Sequence, residues 1–172
     1  ANLYPYPLPI PTGDGTGTLT LGTGTDAAGN VVKSNLPSRP TRQVDKSIPA
    51  SSITYSYAAP YKNGGTNVTI TATFNGAVLD SPVPTIAIAG SGTLGATSST
   101  NMTKTSSTVY TYTYTVPTGD GTGTVTVGTG TDAAGNVVTS TPTSGATFTV
   151  DNTAPTAAIT YSYAAPYKNG GT

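Results

Sequence analysis

Residues 117–138 read PTGDGTGTVTVGTGTDAAGNVV, and residues 11–32 read PTGDGTGTLTLGTGTDAAGNVV, differing only where Leu19 and Leu21 stand against Val125 and Val127. The two stretches lie 106 residues apart, and at the same spacing ITYSYAAPYKNGGT at 53–66 returns unchanged at 159–172. Across the 66 positions that overlap at this offset, 42 are identical. Such a period is longer than the roughly 20 to 50 residues of solenoid repeats and matches a whole β-sandwich domain of about 100 residues. The chain therefore divides into residues 1–49, the second half of one unit; 50–155, a complete unit; and 156–172, the first strand and turn of a third. It reads as a stretch of a longer polymer of such units, the other possibility being that half-units pair with neighbouring chains.

Within the complete unit, apolar and polar residues alternate between turn formers. Val68, Ile70, Ala72 and Phe74 share one face opposite Thr69, Thr71 and Thr73; Tyr110, Tyr112, Tyr114 and Val116 oppose Thr111, Thr113 and Thr115. A period of two with one apolar face predicts antiparallel strands packed as a sandwich, over 51–57, 67–74, 85–89, 109–116, 122–127, 137–139 and 146–150. The stretch between 90 and 105 carries no such pattern. Composition agrees: 37 Thr, 15 Ser, 21 Gly and 14 Pro favour strands joined by tight turns and disfavour helix.

Composition also excludes chemistry. With no Cys, no His and no Trp, the chain has no disulfide, no thiolate or imidazole metal site and no Ser-His-Asp triad, and it reads as a non-enzyme. Charged residues are 8% of the chain, and seven Lys+Arg balance seven Asp, which leaves no basic surface for nucleic acid. No apolar run reaches the roughly 20 residues of a membrane span. The Gly-rich stretches lack the Gly-Lys-Ser/Thr ending of a phosphate loop.

One half-unit departs from its copy. Pro5, Pro7 and Pro9 stand where the complete unit has Thr111, Thr113 and Thr115, and Arg42 and Pro40 replace Phe148 and Ala146. Alternate prolines remove every N–H on one side of a strand, so 1–10 and 33–43 are expected to form an edge, a polyproline-like segment or a divergent terminal repeat.

TDAAGNVV, followed by ATFTVDNTAPTAAITYS, resembles the end of one bacterial or archaeal immunoglobulin-like repeat and the start of the next, and ITATFNGAVLDSPVPTIAIAG resembles the middle strands of the same modules. The resemblance implies an all-β, immunoglobulin-like antiparallel β-sandwich in tandem, in the stalk of an extracellular adhesin or surface filament, with neighbouring repeats as partners and copies of itself in a filament. It further implies calcium at domain junctions, held here by Asp120, Asp132, Asn136, Asp151 and Asn152. The competing reading of these residues is that Asp-Gly and Asp-to-Asn turns use them to bond local N–H groups.

Further candidates stand beside these. Asn67-Val68-Thr69 and Asn101-Met102-Thr103 are glycan acceptor sequons. Lys62 and Lys104 are the lysines an isopeptide staple would use, and the Thr-x-Thr rows suit a wet strand face better than a flat ice-binding one. A recognition module binding sugar or protein through Tyr55, Tyr57, Tyr61, Tyr110, Tyr112 and Tyr114 is the alternative function. Burial of those rings between the sheets separates the two readings.

Overall fold

The computed structural model describes residues 9–20, 22–31, 41–162, 165–166 and 169–170. Ten strands follow in chain order: β1 (Gly15–Thr18), β2 (Thr41–Val44), β3 (Ser51–Tyr55), β4 (Val68–Phe74), β5 (Thr85–Gly90), β6 (Thr97–Asn101), β7 (Thr103–Lys104), β8 (Val109–Tyr114), β9 (Gly121–Gly128) and β10 (Thr147–Val150). Every ladder between them is antiparallel. No helix among the described residues is long and apolar enough to cross a membrane.

Two four-stranded sheets, ordered β10-β9-β5-β6 and β3-β4-β8-β7, face each other over one core. The alternation in β4 places Val68, Ile70, Ala72 and Phe74 inside and leaves Thr69 and Thr73 in water; β5 and β9 contribute Ile86, Ile88, Val125 and Val127 from the other side. Burying such side chains is worth about 1.5 to 3 kcal/mol each, which a polar residue on the same face would forfeit.

Phe148 joins the sheets. Its ring lies 5.6 Å from Tyr55, 5.5 Å from Tyr61 and 5.3 Å from Tyr114. Tyr61, Tyr110 and Tyr114 are at most 2% exposed, and Tyr55 and Tyr112 pack half-buried against the core. Tyr57 is the most exposed of the six, at 38%.

The two long sides of the sandwich are closed differently. On one, the chain running from Ser51 to Tyr61 lies parallel to the chain running from Thr143 to Val150, bridged at Ser52 with Ser144 and at Tyr61 with Val150. Four backbone bonds join them: Thr143 N–H to Ser51 O at 2.7 Å, Ile53 N–H to Ser144 O at 3.0 Å, Tyr61 N–H to Thr149 O at 3.0 Å, and Asp151 N–H to Tyr61 O at 2.9 Å. Gly145 makes this approach possible: at φ +70°, a Cβ would sit 2.0 Å from the Ile53 carbonyl oxygen. On the other side, β6 passes straight into β7 through Met102, so one segment changes sheets and supplies both outer edges.

The stretch without a pattern thus contains two strands. Conversely, 137–139 forms no strand; Val137 makes only an isolated bridge to Thr131. There the backbone bonds out of ladder, Val138 N–H to Gly130 O and Thr139 N–H to Pro49 O, both at 2.9 Å.

Outside the sandwich, β1 and β2 pair with Gly15 opposite Val44 and Thr18 opposite Thr41. This is the register of β9 on β10, where Gly121 opposes Val150 and Thr124 opposes Thr147, shifted by the sequence spacing. Thr25 bridges Val31 as Thr131 bridges Val137. Among the described residues Thr41–Val44 pairs with β1 alone, and 33–40 of the divergent segment lie outside them. Pro9 and Ile10 lie in no strand, whereas Pro5, Pro7 and Pro40 fall outside the described residues.

Candidate functional site

The five residues implied for calcium sort onto opposite ends of the sandwich. Asp132 and Asn136 follow β9, whereas Asp120 precedes it and Asp151 and Asn152 follow its partner β10. Eight strand residues at about 3.3 Å each separate the two groups by about 25 Å. The five do not converge, and no three acidic side chains among the described residues come close enough to hold a metal ion. Calcium needs six to eight oxygens at about 2.4 Å, so the set does not fit a single ion.

Each carboxylate is instead committed to hydrogen bonds within the chain. Asp132 Oδ1 accepts the N–H groups of Ala134 and Asn136, both at 2.9 Å, and Oδ2 accepts the Asn136 side-chain amide at 2.8 Å. Those bonds, the Asn136 amide foremost, hold the Asp132 carboxyl below its ordinary pKa. Asp26 makes the same three bonds at 2.9, 2.8 and 2.9 Å.

At the opposite end, Asp120 accepts from Asn152 N–H and from the Thr153 hydroxyl at 2.6 Å, and the hydroxyl is the main cause of its lowered pKa. Asn152 turns its own amide to Gly119 O and to Asn63 N–H, both at 2.6 Å. Asp151 Oδ1 accepts Thr153 N–H at 2.9 Å. Asp14 repeats the arrangement with Lys46 N–H and the Ser47 hydroxyl. Thus an Asp at the head of β1 or β9 ties down the chain that leaves β2 or β10. Local turn bonding accounts for Asp132, Asp26 and Asp151, whereas Asp120 and Asp14 bond chain 32 or 33 residues away.

A contact that sequence reasoning missed lies where the β1–β2 pair meets the sandwich: the Asn136 amide donates to Asp45 O at 3.0 Å. Only its recurrence in an Asp-Ala-Ala-Gly-Asn turn beside a linker hinted at it.

Asn67 is exposed just ahead of β4, and Asn101 is exposed at the end of β6. Lys104 is paired with Asp80 at 2.8 Å, and the Tyr110 hydroxyl donates to the other oxygen of Asp80 at 3.1 Å. Lys62 borders a small cavity of about 250 Å³ with Tyr57, Pro60 and Thr66. A larger groove, about 730 Å³, runs beside Ile10, Leu19, Arg42 and Val44. With Tyr61, Tyr110 and Tyr114 inside the core, the tyrosines form no continuous outer patch among the described residues. No family model matches the chain, and no curated protein matches it.

Proposed function

We propose that this chain is a tension-bearing structural module, an immunoglobulin-like repeat arrayed in tandem along an extracellular stalk or filament. The observation that carries the reading is the parallel clasp between 51–61 and 143–151. The chain reaches the sandwich at Ser51 and leaves it at Asp151, and the segments next to these points run in parallel and exchange four backbone bonds. Pulling the two ends apart slides one segment along the other, so all four bonds bear load together. Pulling an antiparallel pair from one end would break its bonds one at a time.

Other observations support the tandem arrangement: the 106-residue period, the equal register of β1–β2 and β9–β10, and the Asp clasps that fix the departing chain in both copies. Pro49 and Pro155 follow those clasps and limit bending of the linkers. A surface of Thr and Ser with little charge suits a passive spacer, and the neighbouring repeats are its partners. The buried tyrosines weigh against a recognition role.

Single-molecule pulling tests this. Handles at the two ends of the chain should give one sharp rupture that lengthens the molecule by about 300 Å, from roughly 100 residues at about 3.5 Å each less the folded length. Handles at Ala50 and Asn75, on either side of the Ser51–Phe74 pair, should unzip β3 from β4 at a much lower force. Equal low forces in both geometries would remove the reading.

A further inference from the structure

Two Asn-Gly steps lie at turns of the sandwich, Asn63-Gly64 between β3 and β4 and Asn75-Gly76 directly after β4, and both asparagines are exposed. Glycine in second place matters because its backbone nitrogen, unshielded by a side chain, can reach back to the asparagine's own side-chain carbonyl. Residues 169–170 repeat the first step, but 167, 168, 171 and 172 beside them lie outside the described residues.

The two asparagines are held by opposite ends of the amide. Asn75 Oδ1 accepts the Ala50 N–H at 2.9 Å, and the Asn75 N–H returns a bond to Ala50 O at 3.0 Å. Neither Asn75 Nδ2 nor the Gly76 N–H has a hydrogen-bond partner among the described residues. Asn63, by contrast, donates from Nδ2 to Val116 O at 2.8 Å, and its N–H donates to Asn152 Oδ1 at 2.6 Å. A backbone donor at one site and a backbone acceptor at the other fix which end of each amide is oxygen.

These bonds act in opposite senses on one reaction. A donor on Oδ1 draws electron density from Cγ and stabilises the oxyanion that forms when a nitrogen adds there, while an unbonded Nδ2 is able to depart. A bond from Nδ2 to a carbonyl holds the leaving group and anchors Cγ in its turn.

We propose that Asn75-Gly76 is a self-modification site, where asparagine closes to a succinimide and reopens to aspartate or isoaspartate, and that the tie to Val116 protects Asn63-Gly64. Hydroxide takes the Gly76 N–H proton, and the nitrogen adds to Asn75 Cγ, forming the N–Cγ bond and an oxyanion that faces the Ala50 N–H. Collapse breaks Cγ–Nδ2, and the nitrogen leaves as ammonia with a proton from water. Water then adds to either ring carbonyl and breaks its bond to the Gly76 nitrogen. The sequence consumes water, releases ammonia and needs no oxidant. Aspartate keeps an oxygen for the Ala50 N–H. Isoaspartate carries the main chain through Cγ, one carbon longer, next to the residue that precedes Ser51 and the clasp.

The test holds the full chain at about pH 8, where tyrosine stays neutral, once folded and once in denaturant. Peptide mapping by mass spectrometry follows the amide-to-acid change at positions 63 and 75, and an isoaspartate-specific methyltransferase labels the rearranged product. Comparable rates are expected in denaturant, and in the fold Asn75 should react faster than Asn63 by on the order of tenfold or more. Gly76→Ala should nearly stop conversion at 75 and leave 63 unchanged; a Cβ there meets nothing within 4 Å and the backbone is not left-handed, so the fold is kept. Equal rates at the two sites in the fold, or a faster Asn63, overturn the proposal. So does an Asn75 that reacts in denaturant and stays intact in the fold.

Discussion

Gly123 and Phe148 stand directly opposite each other on β9 and β10, and the phenyl ring occupies the space a side chain at Gly123 would need: an added Cβ would lie 2.4 Å from Phe148 Cζ. The ring that joins three tyrosines therefore depends on the smallest residue of the neighbouring strand. Gly123→Ala should lower stability by about 1 to 3 kcal/mol in chemical denaturation, because ring and neighbours must shift together. The equivalent Gly17→Ala should stay within about 0.5 kcal/mol, since Gly17 meets only the Arg42 carbonyl oxygen, at 3.9 Å.

Alkali should unfold the sandwich through its tyrosines. Burial, followed by the hydrogen bond to Asp80, pushes Tyr110 up to about 12, and burial pushes Tyr55 up to about 12. A phenol whose pKa is higher folded than unfolded favours the fold fully below the unfolded value of about 10, and that contribution is lost as pH rises from about 10 through about 12. Denaturation midpoints should fall across that window. Tyr110→Phe should soften the fall and cost about 1 to 2 kcal/mol at neutral pH, because Val78 O and Asp80 lose their donor.

Acid acts in the opposite sense. Asp132 and Asp120 titrate below 3.8 in the fold, so their contribution is present above that value and disappears as pH falls through the lowered one. Asp132→Asn should remove part of the acid dependence measured by denaturation between about pH 2 and 5. The new amide would face the Asn136 amide, donor against donor, so the melting temperature should also drop at neutral pH.

Calcium and chelator should leave the melting curve and the scattering profile unchanged. Asp120 and Asp151 lie at one end, bonded to the departing chain, and Asp132 lies about 25 Å away at the other. A rise in melting temperature with millimolar calcium would show a site that these contacts do not supply.

Much of the fold was legible because a strand with one dry face writes its alternation into sequence. β4 and β8 carry it plainly, and their inward residues are the buried ones, Tyr112 alone stopping half-way. β6 and β7 escaped because Thr97–Asn101 and Thr103–Lys104 lie on the outer edge, where both faces are largely wet and Thr and Ser serve equally well. Conversely, Val137, Val138 and Thr139 look like a strand but bond to Gly130 and Pro49. The acidic residues carried both a calcium and a turn reading, and their division between two ends depends on the direction of β9, which residue spacing alone does not disclose. The clasp between 51–61 and 143–151 left no local signal, since its four ladder bonds are main-chain, the Tyr55 and Thr143 hydroxyls each adding one more to a carbonyl, and they join segments about 90 residues apart.

The crossing from β6 to β7 has a chemical consequence. Its midpoint, Met102, is the protein's single methionine, 4% exposed, in a sequence without cysteine, histidine or tryptophan. Peroxide would convert that thioether into a polar sulfoxide, which the core cannot accommodate, but the reagent reaches it only when the crossing opens. Resistance to oxidative ageing is thus set by how seldom one edge segment lifts away, and the slow appearance of sulfoxide at Met102 becomes a clock for that opening.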